Sequence, residues 1–244
     1  MMALVCLMLF SSPTLLTVSD GDEAFVRIDY PSAAAIYDSV LATSPDSAAI
    51  LWRLARVYVC MADIAPRDQK TVLYRIAEQY ARREILADST LAEGHTWLAA
   101  ALGNIAMFEG SKAKVAMCHE IKKELETAIT LNPDDDIAYS ILGSFYLALG
   151  NVSWIERQLA AIFLGSLPDG GYKEAEAALK TAIKIAPDVV RHHFELGELY
   201  IKEDRSQEAI AEFQTATSLP LALASDEHTQ ALAVERINQL KEHR

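Results

Sequence analysis

Along this chain, apolar and small side chains recur at positions i, i+3, i+4 and i+7, the spacing that lines up one face of an α-helix. The segment "YSILGSFY" places Tyr139, Leu142, Gly143 and Tyr146 in that order, and "HFELGELY" repeats it with His193, Leu196, Gly197 and Tyr200. Two looser copies stand upstream: "LWRLARVY" with Leu51, Leu54, Ala55 and Tyr58, and "HTWLAAAL" with His95, Leu98, Ala99 and Leu102. The fifth place of each octet is Gly or Ala. Two helices packed about 8–10 Å apart leave no room for a larger side chain there, so each octet predicts the first member of a tight helix pair.

The second members follow. Ala175, Leu179 and Ala182 precede Pro187, and Ala209, Phe213 and Ala216 precede Pro220. An octet, then such a run, then a proline, with a period of about 34 residues, is the pattern of the tetratricopeptide repeat. The closing turns fall at Pro45, Ser89 in a proline's place, Pro133, Pro187 and Pro220, at spacings of 44, 44, 54 and 33. Three units therefore carry about 10, 10 and 20 extra residues, which the matched second helices place between the paired helices. A half-unit, Ser32 to Thr43, precedes the first full one, and Asp226 to Arg244 reads as a polar helix capping the far end. The predicted fold is all-α, a tetratricopeptide-like helical-repeat solenoid with insertions between the paired helices. Residues 1–19 read as a signal peptide, 20–225 as the repeat domain and 226–244 as the C-terminal capping helix.

The longest insertion has a structure of its own. Gly150-Asn151 ends the preceding helix, and Ser153-Trp154-Ile155-Glu156 has the form of a capping box, with Ser153 as N-cap and Glu156 at the third helical position. A separate helix over 153–164 follows, closed by Gly165, Pro168 and Gly170-Gly171. Trp154, Ile155, Leu159, Ile162 and Phe163 give it a broad apolar side, which predicts packing against the array on more than one face with Trp154 as anchor. The helix is either the wall of a groove or a third helix filling space.

The phrases "LWRLARVY" (51–58), "EGHTWLA" (93–99), "GSKAKVAMCHEIKKELETAITLNP" (110–133) and "SWIERQLAAIFLGSLP" (153–168) resemble the tetratricopeptide domain of the regulator of microtubule dynamics family, over roughly residues 30 to 220. The G-S-K and S-W-I-E-R segments lie in the insertions, which ordinary repeats lack. The resemblance implies a non-enzymatic helical domain. Members of that family are associated with microtubules, and some with organelle membranes and phospholipid. An exported chain would not meet a microtubule, so the fold and a binding role are what carry over.

Composition agrees with a helical protein. Hydrophobic residues make up 51% of the 244, and Gly and Pro number only 10 and 8. The formal charge is −12 and the 22 Lys and Arg are scattered, which argues against nucleic acid as a partner. Cys6, Cys60 and Cys118 have neither zinc-site spacing nor the density of a disulfide scaffold, so buried free thiols are expected. The opening "MMALVCLMLFSSPTLLTVSD" resembles a secretory leader cleaved before Asp20, although it has no Lys or Arg in its first segment. Cleavage would make the protein exported, periplasmic or secreted; an intact leader would leave it cytoplasmic. The run is too short and interrupted to span a membrane, so none is expected in the mature chain.

No set of residues assembles a catalytic or metal centre, and no cofactor is expected. His192 and His193 diverge by about 100° on a helix, a poor arrangement for a shared metal. His193 takes the aromatic place of its octet and should be packed, while His119 faces solvent. "NPDDD", 132–136, puts carboxylates at a helix start, where they cap it. Binding is the remaining role. The first helix of each unit lines the concave face, which projects Trp52, Arg56, Asn104, Arg191, Phe194 and Lys202 onto it, with Trp154 on the adjoining wall. These mixed groups suit a protein or peptide partner. A lipid or apolar small molecule is the alternative ligand.

Overall fold

The computed structural model describes residues 16–242, and every regular element among them is an α-helix. The order is α1 (Val18–Val26), α2 (Tyr30–Leu41), α3 (Ala48–Ile64), α4 (Arg67–Ala87), α5 (Ala92–Ala106), α6 (Ser111–Leu131), α7 (Asp136–Gly150), α8 (Trp154–Phe163), α9 (Tyr172–Ile185), α10 (Val190–Lys202), α11 (Ser206–Ser218) and α12 (Ala224–Glu242). The antiparallel pairs α3/α4, α5/α6, α7/α9 and α10/α11 are the four units announced by the octets.

The small residues sit where the steric argument requires them. A Cβ on Gly143 would lie 2.5 Å from Leu179 of α9, and one on Gly197 would lie 2.6 Å from the Phe213 ring of α11. Leu179 and Phe213 are fully buried, so neither can give way.

The extra residues take two forms. In the first two long units they lengthen helices: α4 and α6 each run 21 residues, against 13 for α10 and for α11. The first surplus contains a single breaker, Pro66, which stands at the N-cap of α4 and leaves both helices intact. The third surplus carries Gly150, Gly165, Pro168, Gly170 and Gly171, and the chain there breaks into the separate helix α8. Gly170 has φ +135°, and the Tyr146 ring occupies the place of its missing side chain.

At the N-terminus the half-unit is a whole one, because α1 pairs with α2. Thr17 caps α1 through a capping box: its hydroxyl oxygen accepts the Asp20 N–H at 3.3 Å, and the Asp20 carboxylate accepts the Thr17 N–H at 2.8 Å. The expected cleavage point before Asp20 falls inside this helix, and residues 1–15 of the expected leader lie outside the described residues.

At the other end α12 begins at Ala224, packs on α10 and α11, and touches α3. The Ala224 N–H donates to the Tyr30 hydroxyl at 3.0 Å, and Leu223 and Ala224 pack on the apolar cluster of α1, α2 and α3. The first helices α3, α5, α7, α10 and α12 thus contact one another in turn, and the last returns to α3. The concave face is the inside of this ring.

Candidate functional site

The inner wall is built on α3, which carries Trp52, Arg53, Arg56 and Asp63. Arg56 stacks on Phe25, 3.7 Å from the ring centroid, lies 5.0 Å from the Trp52 centroid, and approaches Asp22 at 3.7 Å. Arg53 holds the same Asp22 at 2.8 Å and lies over the Trp52 ring, 4.3 Å from its centroid. These guanidiniums, with the Tyr37 hydroxyl, hold the Asp22 carboxyl below the usual range although burial opposes them.

Two turns further along α3, Asp63 accepts hydrogen bonds from Tyr74 at 2.7 Å and from Arg191 of α10 at 3.0 Å. Arg191 is surrounded by the ring yet still reaches solvent; burial works against its charge, but Asp63 and Glu195 outweigh that and raise its pKa. Burial lifts the Glu195 carboxyl. Cys60, between Arg56 and Arg191, is a buried free thiol pushed up to about 12 by burial and by Asp63, which leaves it protonated and inert. Cys118 is also free.

Of the predicted binding residues, Trp52, Arg56 and Arg191 come together along this wall. Asn104 donates to the Ala100 carbonyl of its own helix at 3.0 Å. Phe194 is half-buried against Phe213, with centroids 5.6 Å apart. Lys202 is exposed beside a shallow depression between α10 and α12, lined also by Glu198 and Arg236.

Trp154 stands apart from all of these. The capping box of α8 is present, with the Glu156 N–H donating to the Ser153 hydroxyl oxygen and the Ser153 N–H to the Glu156 carboxylate. The expected packing is not: Ala160 is the one buried residue of α8, and Trp154, Ile155, Leu159, Ile162 and Phe163 are exposed. What fastens α8 is polar. The Arg157 guanidinium donates to the carbonyls of Leu149 at 2.7 Å, Gly170 at 3.1 Å and Pro168 at 3.3 Å. His119, exposed on α6, meets the Ser166 carbonyl at 2.7 Å through Nε2.

Two features escaped the sequence reading. His193 is packed as expected, but through a repeated device: its Nδ1 meets Glu212 at 2.7 Å and its Nε2 the Pro187 carbonyl at 2.8 Å. In the second long unit His95 does the same with Glu124 at 2.5 Å and the Ser89 carbonyl at 3.5 Å. The second feature is Glu84, fully buried on α4 with no hydrogen-bond partner for either carboxyl oxygen among the described residues. It lies on Gly94, where a Cβ would come within 1.5 Å of it. Burial, then Glu93 and Asp88, raise its pKa to about 8.

The acidic run 132–136 is structural here: Asp135 caps α7 by accepting the Ala138 N–H at 2.9 Å, and Asp136 meets His192 at 2.9 Å. No three His, Cys, Asp or Glu among the described residues are placed to hold a metal ion. No described helix is long and apolar enough to cross a membrane.

Solved structures with this architecture include a thermophilic tetratricopeptide-repeat protein of Thermus thermophilus, with a TM-score of 0.66 at 19% identity over 91% of this chain and 97% of that one. Yeast Tom70 gives a TM-score of 0.57 at 14% identity over 93% of this chain and 39% of its own. At such identities the likeness concerns the fold. In sequence, regulator of microtubule dynamics protein 1 of Bos taurus is 28% identical over 193 residues, covering 78% of this chain and 61% of the relative. Regulator of microtubule dynamics protein 2 of Mus musculus is also 28% identical over 193 residues, covering 78% of this chain and 47% of the relative. The sequence model described as "Regulator of microtubule dynamics protein 1-3" matches residues 18–241, from the first residue of α1 to near the end of α12, and the chain belongs to that family.

Proposed function

We propose that the chain is a non-catalytic scaffold that recognises a protein partner through the inner wall of its ring. The observation that carries this reading is the gathering of charged side chains from separate units, Asp22, Arg56, Asp63, Arg191 and Glu195, on one wall that solvent still reaches. Such groups can exchange internal ion pairs for pairs with a bound segment, which gives orientation and selectivity more than raw affinity. The tetratricopeptide architecture supports a peptide-like partner, and for a chain that keeps its leader and stays in the cytoplasm the relatives' name makes polymerised microtubules a first probe. A carrier for apolar molecules would need an enclosed apolar cavity. The charged wall weighs against that alternative.

A photo-crosslinking residue at Trp52 or Glu195, compared with one at exposed Ala177 on α9, tests the reading in extract of the native host. The expected result is one partner captured from both inner positions and not from Ala177. Capture from Ala177 alone would place recognition on the outer helices. The exported location rests on the leader alone and is checked by N-terminal sequencing of native protein, where an intact Met1 would overturn it.

A further inference from the structure

We propose that α8 is the dimerisation helix of this protein, pairing antiparallel with α8 of a second copy about a twofold axis between Gln158 and Leu159. A helix on a protein surface ordinarily turns its apolar side inward. α8 does the reverse. With about 100° per residue, Arg157 and Ala160 lie on one side and Ile155, Leu159 and Ile162 on the opposite one. Arg157 and Ala160 face the protein, so the apolar side faces solvent: Trp154 and Phe163 are each 74% exposed, Ile162 70%, Ile155 64% and Leu159 50%.

This presentation is held in place. The capping box fixes the start of α8, Arg157 ties its middle to three carbonyls, and His119 ties the following loop to α6. Two aromatic rings and three aliphatic chains at these exposures come to roughly 600–700 Å² of apolar surface. That is at or above the largest patch of an ordinary monomer, about 300–600 Å². It approaches the roughly 800 Å² that each partner buries in a standard interface.

The order of side chains selects the occupant. Read from either end, "WIERQLAAIF" meets an aromatic ring, then isoleucine, and reaches Gln158 and Leu159 at the centre. A twofold interface must be complementary to itself. In an antiparallel pair Ile155 meets Ile162 of the second copy, Leu159 lies beside the axis, and Trp154 and Phe163 flank this seam at its two edges.

Charge points the same way. Two chains of formal charge −12 can approach only through a face free of like charge. The two ionic groups of α8 are Glu156, engaged in the capping box, and Arg157, engaged by carbonyls. A membrane-surface helix carries free Lys and Arg on its polar side, whereas the single Arg of α8, Arg157, is taken up by three carbonyls, and an anionic leaflet repels an acidic chain. Exposed Lys112 and Lys114, within a turn of Val115 where α6 approaches the α8 loop, make anionic vesicles the necessary control.

Sedimentation velocity of the full chain at micromolar concentration is the test. The expected result is a dimer that Ile155→Glu with Ile162→Glu weakens by about a hundredfold or more, leaving the melting temperature of dilute protein unchanged. Chains with Ile155→Cys mixed with chains with Ile162→Cys should form a disulfide-linked pair, while Ile155→Cys alone should not. A monomer at that concentration would overturn the proposal, as would a dimer indifferent to the double substitution or self-crosslinking of Ile155→Cys. Flotation of a monomeric chain with phosphatidylserine vesicles would assign the face to lipid instead.

Discussion

α8 and α10 both collect their apolar side chains on one side, and they use that side in opposite ways. α10 turns it inward: Leu196, Leu199 and Tyr200 are buried, and Gly197 lets the Phe213 ring of α11 come close. α8 turns it outward and is fastened by one guanidinium. An amphipathic pattern establishes that a helix has two sides, and its neighbours decide which side they cover. For α10 the neighbours are apolar helices of the repeat. For α8 they are the backbone carbonyls of Leu149, Pro168 and Gly170, which a cation satisfies and a leucine cannot.

The largest expected effect separates two phenylalanines. Phe213→Ala should cost roughly 3–5 kcal/mol, because the ring is wholly enclosed and Gly197 cannot fill the cavity. Phe163→Ala should change the stability of dilute protein by no more than about 0.5 kcal/mol, as for other exposed positions. Urea unfolding of both variants checks the pair. A comparable loss at Phe163 would mean that α8 is packed in solution after all.

Carboxylates show the same contrast. Glu156 is exposed and held below the usual carboxyl range by its Ser153 hydrogen bonds, whereas Glu84 is buried without a partner and raised to about 8. Because its folded pKa lies above the ordinary 4.5, stability associated with Glu84 is full below that value and falls as pH rises toward 8. The slope is at most roughly 1.4 kcal/mol per pH unit. Glu84→Gln should remove it, leaving the variant more stable than the parent at pH 8 but not at pH 4.5. Unfolding curves at both pH values decide, and parallel behaviour of the two proteins would show that the carboxylate has found a partner.

Arg157→Ala comes next. Hydrogen bonds to a charged group contribute about 1.5–3 kcal/mol, here to the attachment of α8 alone. Amide exchange should accelerate over 154–164 and leave α10 untouched. Slowed or unchanged exchange in α8 would refute the polar fastening.

Much of the fold was legible because the repeat writes its constraints locally. Gly143 and Gly197 mark close approaches, prolines mark turns, and Ser153 with Glu156 marks a helix start. What stayed hidden depends on distant partners. α1 has a poor sequence for a helix, "VSDGDEAFV", and owes its place to the Tyr37 ring against Gly21 and to Arg53 on Asp22. The ring closure rests on Ala224 and Tyr30, 194 residues apart, and the contact across its inside on Arg191 and Asp63, 128 apart, which no local pattern relates. The candidate wall was accordingly half visible: Trp52, Arg56 and Arg191 were projected onto it, and Asp22 and Asp63 were not. Glu84 did leave a signal. It stands five residues before the closing turn at Ser89, where the next two units have the buried Ala128 and Ala182, and Gly94 makes room for it.

The smallest effect tests the comparison most directly, because it sets two chemically alike capping boxes against each other. Thr17 with Asp20 starts α1, and Ser153 with Glu156 starts α8. Removing either hydroxyl should cost its helix about 1 kcal/mol. α1 buries Gly21, Ala24 and Phe25 in the core shared with α2 and α3, so its helix forms only as part of the cooperative fold. Thr17→Ala should therefore lower global stability by about that 1 kcal/mol. α8 shares no core, so Ser153→Ala should leave global unfolding unchanged and speed amide exchange within 154–163 about fivefold. Equal global losses from the two substitutions would mean that α8 unfolds with the array, against its polar fastening and its outward apolar face.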